Sequence, residues 1–262
     1  GKYDKNGDNE LSFSEARLVT KIEDNTFNAS VNPSYSADFD RAFPEFRFFT
    51  NLEEIGFRAF YGIYWGPNVI FPPNIKKIGA NAFQLYFLAP SIANTTNPFE
   101  NLEEIGDGGL GNISVDISWF KNVKILGVFV LPRCYVKSGD GNKISFKYLK
   151  EIKANLLFDS PYSPMKDENN VQLTSYDFSE WTALTIIRAD SIPPPANIVT
   201  PFFEVKLPAS IEYIETRPFV SGVSNVNGRY LKLTILAVIP PTLISKALCN
   251  DPNNDLIKIY GT

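Results

Sequence analysis

The residues best equipped for chemistry cluster at the amino-terminal end. Asp4, Asn6 and Asp8 put an oxygen on alternate positions, and Glu10 and Glu15 follow in the same polar stretch. Such a donor set suits a hard cation, because calcium takes about six to eight oxygens from a tightly curled backbone. The rest of the chain offers little to a catalyst. It has no histidine, which removes Ser-His-Asp and Cys-His sites, His-ligated zinc and most general-base schemes near neutral pH. Two cysteines, Cys134 and Cys249, cannot make a Cys-rich zinc site or a disulfide-dense fold. The acidic pairs Glu53-Glu54 and Glu103-Glu104 recur as decoration, and solvated surface is the better reading than a glycosidase pair. Tyr61, Tyr64 and Trp65 are the candidate partner-binding residues, since exposed aromatics stack on sugars or anchor proteins. Trp65 also shares the parity of Val69 and Phe71, which turns it toward a core. Trp119 has core parity as well, and Trp181 has no assignment from its Ser-Glu-Trp-Thr setting.

The stretch Asp4-Lys5-Asn6-Gly7-Asp8-Asn9-Glu10-Leu11-Ser12-Phe13-Ser14-Glu15 resembles an EF-hand or dockerin-type loop. The resemblance implies side-chain ligands from Asp4, Asn6 and Asp8, a backbone carbonyl from Glu10 and a bidentate carboxylate from Glu15. Asn9 stands where glycine is expected, and asparagine tolerates the left-handed conformation better than other residues. The competing reading is a polar turn before a helix that Ser12 caps, with Glu15 completing a capping box.

The elements around these residues are set by a repeated phrase. An apolar residue is followed three positions on by a second, and five further on by a large third. The copies are Leu52-Ile55-Phe60, Ile75-Ile78-Phe83, Leu102-Ile105-Leu110, Val123-Leu126-Leu131, Leu149-Ile152-Leu157, Leu184-Ile187-Ile192 and Ile211-Ile214-Phe219. Gly56, Gly79, Gly106 and Gly127 follow the second anchor, where glycine permits a positive φ or a close backbone approach. Alternating segments such as Val69-Ile70-Phe71-Pro72, Val115-Asp116-Ile117-Ser118 and Val205-Lys206-Leu207-Pro208 read as strands. One such coil cannot bury its apolar side alone, but stacked coils can.

The ends differ from the middle. Leu11, Glu15, Leu18, Val19 and Ile22 fit a short amphipathic helix, and Phe39, Phe43, Phe46 and Phe49 suit a helix covering the first coil. The domains expected are a calcium-loop-like segment and helix over 1–24, an aromatic helical cap over 25–50, and a repeat array with capping strands over 51–262. Leu231 to Pro241 and Leu256 to Tyr260 read as strands, and 159–170 and 193–201 as loops.

The phrase resembles the BspA-type leucine-rich repeat family of bacterial surface proteins. Leu52-Glu53-Glu54-Ile55-Gly56-Phe57-Arg58-Ala59-Phe60 and Ile75-Lys76-Lys77-Ile78-Gly79-Ala80-Asn81-Ala82-Phe83 carry the likeness, which extends over about residues 40–262. It implies a right-handed leucine-rich-repeat solenoid, rich in strands and turns with few short helices. It also implies export and the binding of host proteins, other cells or extracellular matrix, and it supplies no catalytic residues. Cys134 and Cys249 would sit about four coils apart, on the order of 20 Å at the strand spacing, so two free, largely buried thiols are expected.

Composition agrees with a folded, non-catalytic chain. At 44 % hydrophobic and 14 % aromatic, the 262 residues are too apolar for disorder. A net charge of −4 with scattered basic residues argues against a nucleic-acid groove. No apolar run approaches the roughly 18–20 residues of a membrane helix. The expected protein is a monomeric, non-enzymatic binding or adhesion protein, extracellular or on the cell surface, whose export signal is absent from this sequence. It would present its coil face to a protein partner of host or matrix origin, the alternative being a surface glycan, with calcium as cofactor.

Overall fold

A computed structural model describes residues 5, 7, 12–31, 46–63, 68–84, 91–92, 96–111, 115–128, 135–136, 146–153, 166–167, 169–171, 173, 175–188, 191–192, 202–215, 230–235 and 257–261. The chain divides into two compact units, Gly1–Val115 and Asp116–Thr262. Both are rich in short strands and turns and poor in helix, and their strands pair in parallel. Among the described residues no helix is long and apolar enough to cross a membrane.

The first unit opens with a one-turn helix, α1 (Phe13–Ala16). It then forms β1 (Lys21–Ile22), β2 (Glu54–Ile55), β3 (Asn68–Val69), β4 (Lys77–Ile78), β5 (Ser91–Ile92) and β6 (Glu104–Ile105). β1, β2, β4 and β6 lie side by side, with Ile22, Ile55, Ile78 and Ile105 in register, while β3 pairs with β5. From β2 to β6 the chain therefore leaves one ladder, visits the other and returns one rung on.

The strands of the phrase are two residues long and end at the second anchor, whether Gly56 or Glu23 follows it. Their main-chain groups are satisfied from rung to rung. Gly56 N donates to Ile22 O (2.8 Å), Gly79 N to Ile55 O (2.7 Å) and Gly106 N to Ile78 O (2.8 Å). The turns continue the stair, with Phe60 N donating to Ala82 O (2.9 Å) and Phe83 N to Gly109 O (3.0 Å). Asparagine side chains before the first anchor add to it: Asn51 Nδ2 reaches Arg17 O and Asn74 Nδ2 reaches Thr50 O, both at 2.7 Å.

Of the two reasons expected for the phrase glycines, close approach holds at Gly56, Gly79 and Gly106. A Cβ on Gly79 would lie 2.5 Å from the Gly56 carbonyl carbon. The positive φ falls two residues later, at Arg58 (49°), Asn81 (54°) and Gly108 (60°).

Every phrase anchor that falls among the described residues is buried, at 5 % exposure or less. Rings fill the first unit: Phe27 stacks on Phe60 (5.2 Å) and Phe60 on Phe83 (5.3 Å). Phe46 sits edge-on to Phe60 (5.6 Å) and Phe71 (5.4 Å).

In the second unit the strands are β7 (Ile125–Leu126), β8 (Tyr135–Val136), β9 (Glu151–Ile152), β10 (Lys166–Asp167), β11 (Ser175–Asp177), β12 (Ile186–Ile187), β13 (Phe202–Leu207), β14 (Tyr213–Ile214), β15 (Tyr230–Ile235) and β16 (Ile257–Gly261). β9, β12 and β14 align Ile152, Ile187 and Ile214. A longer ladder runs β11-β13-β15-β16, and β8 pairs with β10. From β11 to β15 the chain again alternates between two ladders. Trp181, unassigned from sequence, is fully buried and edge-on to Phe146 (4.7 Å) and Phe178 (4.9 Å).

Some expectations are corrected, and others fall outside the described residues. The helix over Leu11 to Ile22 is only α1, since Val19 and Ile22 belong to an earlier copy of the phrase, Val19-Ile22-Phe27, paired through β1. Within 25–50 the described helical element is a single 3-10 turn, Phe46–Phe48; Phe39 and Phe43 lie outside the described residues. The expected strand at Val115 to Ser118 is a lone bridge at Asp116 followed by a 3-10 helix, Ile117–Phe120. Its cause is the Asp116 carboxylate, which accepts from Ser118 N (3.0 Å) and bends the chain. Trp119, on that helix, is half-buried rather than in the core. The expected loop 159–170 contains β10, and Cys134 and Cys249 lie outside the described residues.

Candidate functional site

At the amino-terminal loop the structure describes Lys5, Gly7 and Glu15; Asp4, Asn6, Asp8 and Glu10 lie outside the described residues. Glu15 is 5 % exposed and turns its carboxylate back into the loop. Oε1 accepts from Lys5 N, and Oε2 accepts from Ser12 N (3.0 Å) and Ser12 Oγ (2.6 Å). The capping box read from the Ser12 to Glu15 spacing is thus present. The bond from Lys5 N draws the two ends of the loop together, and Gly7 curls it at φ 77°. Three donors from within the chain thus already meet the Glu15 carboxylate. Among the described residues no group of three or more candidate metal ligands gathers.

Of the aromatic candidates only Tyr61 is described; Tyr64 and Trp65 lie outside the described residues. Tyr61 is half-buried, and the Arg58 guanidinium lies 4.9 Å from its ring centre and 5.0 Å from that of Phe57, which is 40 % exposed. Phe57 and Arg58 were not singled out by sequence reasoning. The available signal was an arginine at the turn position that other copies give to Asn25, Asn81 and Gly108. Asparagine and glycine accept a positive φ there, whereas a bulky side chain costs about 1–2 kcal/mol.

The acidic pairs are set against lysines. Lys77 aligns between Glu54 and Glu104, with Nζ 3.1 Å from Glu104, and Lys76 Nζ reaches Glu53 at 2.8 Å. Lys21 Nζ lies 3.2 Å from Glu23 and 3.5 Å from Glu54, and the hydrogen bond to Glu23, then the Glu54 charge, raise its pKa. In the second unit Arg188 Nε donates to Glu151 Oε1 (2.6 Å), which raises the arginine pKa. These solvent-accessible pairs contribute little to stability.

The fold and these surfaces define a parallel, strand- and turn-rich protein of two units. Compared with known proteins, the chain matches no family model, no curated protein and no solved structure.

Proposed function

We propose that the chain is a leucine-rich-repeat solenoid of the BspA type, acting outside the cell as a non-enzymatic binding or adhesion protein. Its coil face would meet a protein of host or extracellular-matrix origin. The supporting observation is the isoleucine register: the same phrase position returns to one ladder at Ile22, Ile55, Ile78 and Ile105, and to another at Ile152, Ile187 and Ile214. Such repetition builds a long surface of outward residues, which suits a large partner. The absence of histidine from the sequence favours binding over catalysis. The immobilised chain should bind at least one purified matrix protein with a Kd of about 10 μM or tighter. Binding only to a glycan array would replace this reading with the glycan alternative, and binding to neither would overturn both.

In this reading Asp4, Asn6, Asp8, the Glu10 carbonyl and Glu15 would hold a calcium ion, whose charge offsets the burial of the Glu15 carboxylate. The ion would tie the loop to α1, which leads after four residues into β1 of the first rung. Calorimetric titration should give a saturable heat, and calcium at about 100 times Kd should stabilise by about 2.7 kcal/mol. Glu15→Gln keeps a capping side chain but should abolish the heat. No heat at millimolar calcium, with an unchanged Tm, would dispose of the metal.

A further inference from the structure

We propose that a lysine-rich face of the second unit, formed by Lys121, Lys124, Lys147, Lys150 and Lys153, docks an acidic peptide segment of the protein partner. The inference rests on the protein-binding reading and gives it a place and a charge.

The argument is the contrast between copies of the phrase. In the first unit the positions flanking the anchors alternate in sign, so that Lys76 meets Glu53 and Lys77 meets Glu104. In the second unit two consecutive copies carry like charges at the same positions. Lys121 and Lys124 flank Val123, and Lys147 and Lys150 flank Leu149. Lys147 N donates to Lys121 O at 3.0 Å, so the two stretches of backbone lie side by side. All four lysines are exposed, and Lys153 follows in the same segment, half-buried. Among the described residues Lys147, Lys150 and Lys153 form no ion pair, whereas Lys121 and Lys124 each have a partner already. Like charges on adjacent stretches of backbone repel, and the arrangement concentrates positive potential in a chain whose net charge is −4.

Exposed apolar residues next to Lys124 and Lys147 in the chain decide between anionic partners. Ile125 is 52 % exposed and Tyr148 is 42 % exposed, with Lys147 Nζ 5.2 Å from the Tyr148 ring centre. A sulfated polysaccharide offers its charge but nothing for Ile125 to bury. An acidic peptide offers carboxylates to the lysines and apolar side chains to Ile125 and Tyr148. Lysine ammonium groups are point charges on flexible stems, which adapt to carboxylates spaced along an extended chain.

The test uses the full chain with a dye-labelled Glu-Glu-Leu repeat peptide, with poly-L-glutamate and heparin as further arms, read by anisotropy. The peptide should bind, lose affinity steeply as salt rises toward about 0.5 M, and bind about tenfold or more weakly to the Lys147→Glu, Lys150→Glu double variant. That variant should melt no lower than the parent, because it removes like-charge contacts. Ile125→Ser should weaken the Glu-Glu-Leu peptide and leave poly-L-glutamate unchanged. Equal peptide affinity in the double variant overturns the proposal, as does binding of heparin without the peptide. A matrix-protein partner whose binding ignores these lysines would leave the protein-binding reading standing while this inference fails. Lysine-dependent peptide binding with no matrix partner would do the reverse.

Discussion

Gly79→Ala should lower the stability of the first unit by at least about 3 kcal/mol, or prevent its folding, although it adds one methyl group. A Cβ at this position would lie 2.5 Å from the Gly56 carbonyl carbon, 2.6 Å from Phe57 N and 2.7 Å from Gly56 O. All three are backbone atoms of the preceding rung, so no side chain can swing aside. Relief would require the rungs to separate, and separation breaks Gly79 N to Ile55 O and Arg58 N to Ala80 O, on either side of the contact. Gly7→Ala is the control. Gly7 has φ 77° and nothing within 4 Å of its Cβ position, so only the backbone strain of about 1–2 kcal/mol applies. Urea midpoints for the two variants and the parent decide the matter. A Gly79→Ala midpoint at or above that of Gly7→Ala would mean that the rungs do not stack at this spacing.

The same contact shows which parts of the fold were legible in the sequence. Anchors were legible because burial leaves a composition signal: no position of the phrase tolerates a polar residue where its side chain points inward. The two-residue strands were not, because a strand of that length exists only through a partner tens of residues away. Val19 and Ile22 illustrate the ambiguity. Their spacing of three satisfies both a helical stripe and the repeat phrase, and pairing with Glu54 and Ile55 settles it as β1. Asp116 illustrates the opposite failure, an apolar alternation interrupted by a side chain that caps its own backbone. At the candidate sites, the Ser12 to Glu15 capping box is a local spacing and could be read directly. The Phe57-Arg58-Tyr61 stack could not, because a positive φ at Arg58 brings those side chains together. Charge pairing was hidden for a similar reason. Glu53-Glu54 looks like repulsive decoration until the register places Lys76 and Lys77 against it.

Phe46→Ala is the second large effect expected, a loss of about 3–5 kcal/mol. Phe46 is 1 % exposed and comes from the 3-10 turn that precedes the second rung. Its ring lies 5.6 Å from Phe60, 5.4 Å from Phe71 and 6.4 Å from Phe83, each edge-on, and 5.9 Å from Phe49. Phe60 and Phe83 are third anchors of consecutive copies, and Phe71 follows β3, so one side chain touches both rungs and the segment between them. Truncation would remove the transfer energy of the ring and leave a cavity lined by aromatic groups that stack too rigidly to collapse into it. The Phe27-Phe60-Phe83 column is held by stacked ring contacts of 5.2 and 5.3 Å. Phe46→Leu refills most of the volume and should lose about 1–2 kcal/mol. Phe13→Ala removes a ring that is 55 % exposed, despite a 4.2 Å approach to Phe48, and should lose under about 1 kcal/mol. Hydrogen exchange at the Gly56 and Gly79 amides, both donors between rungs, reports the first unit directly. Protection in Phe46→Ala within about a factor of five of the parent, a difference near 1 kcal/mol, would show that this ring does not hold the rungs together.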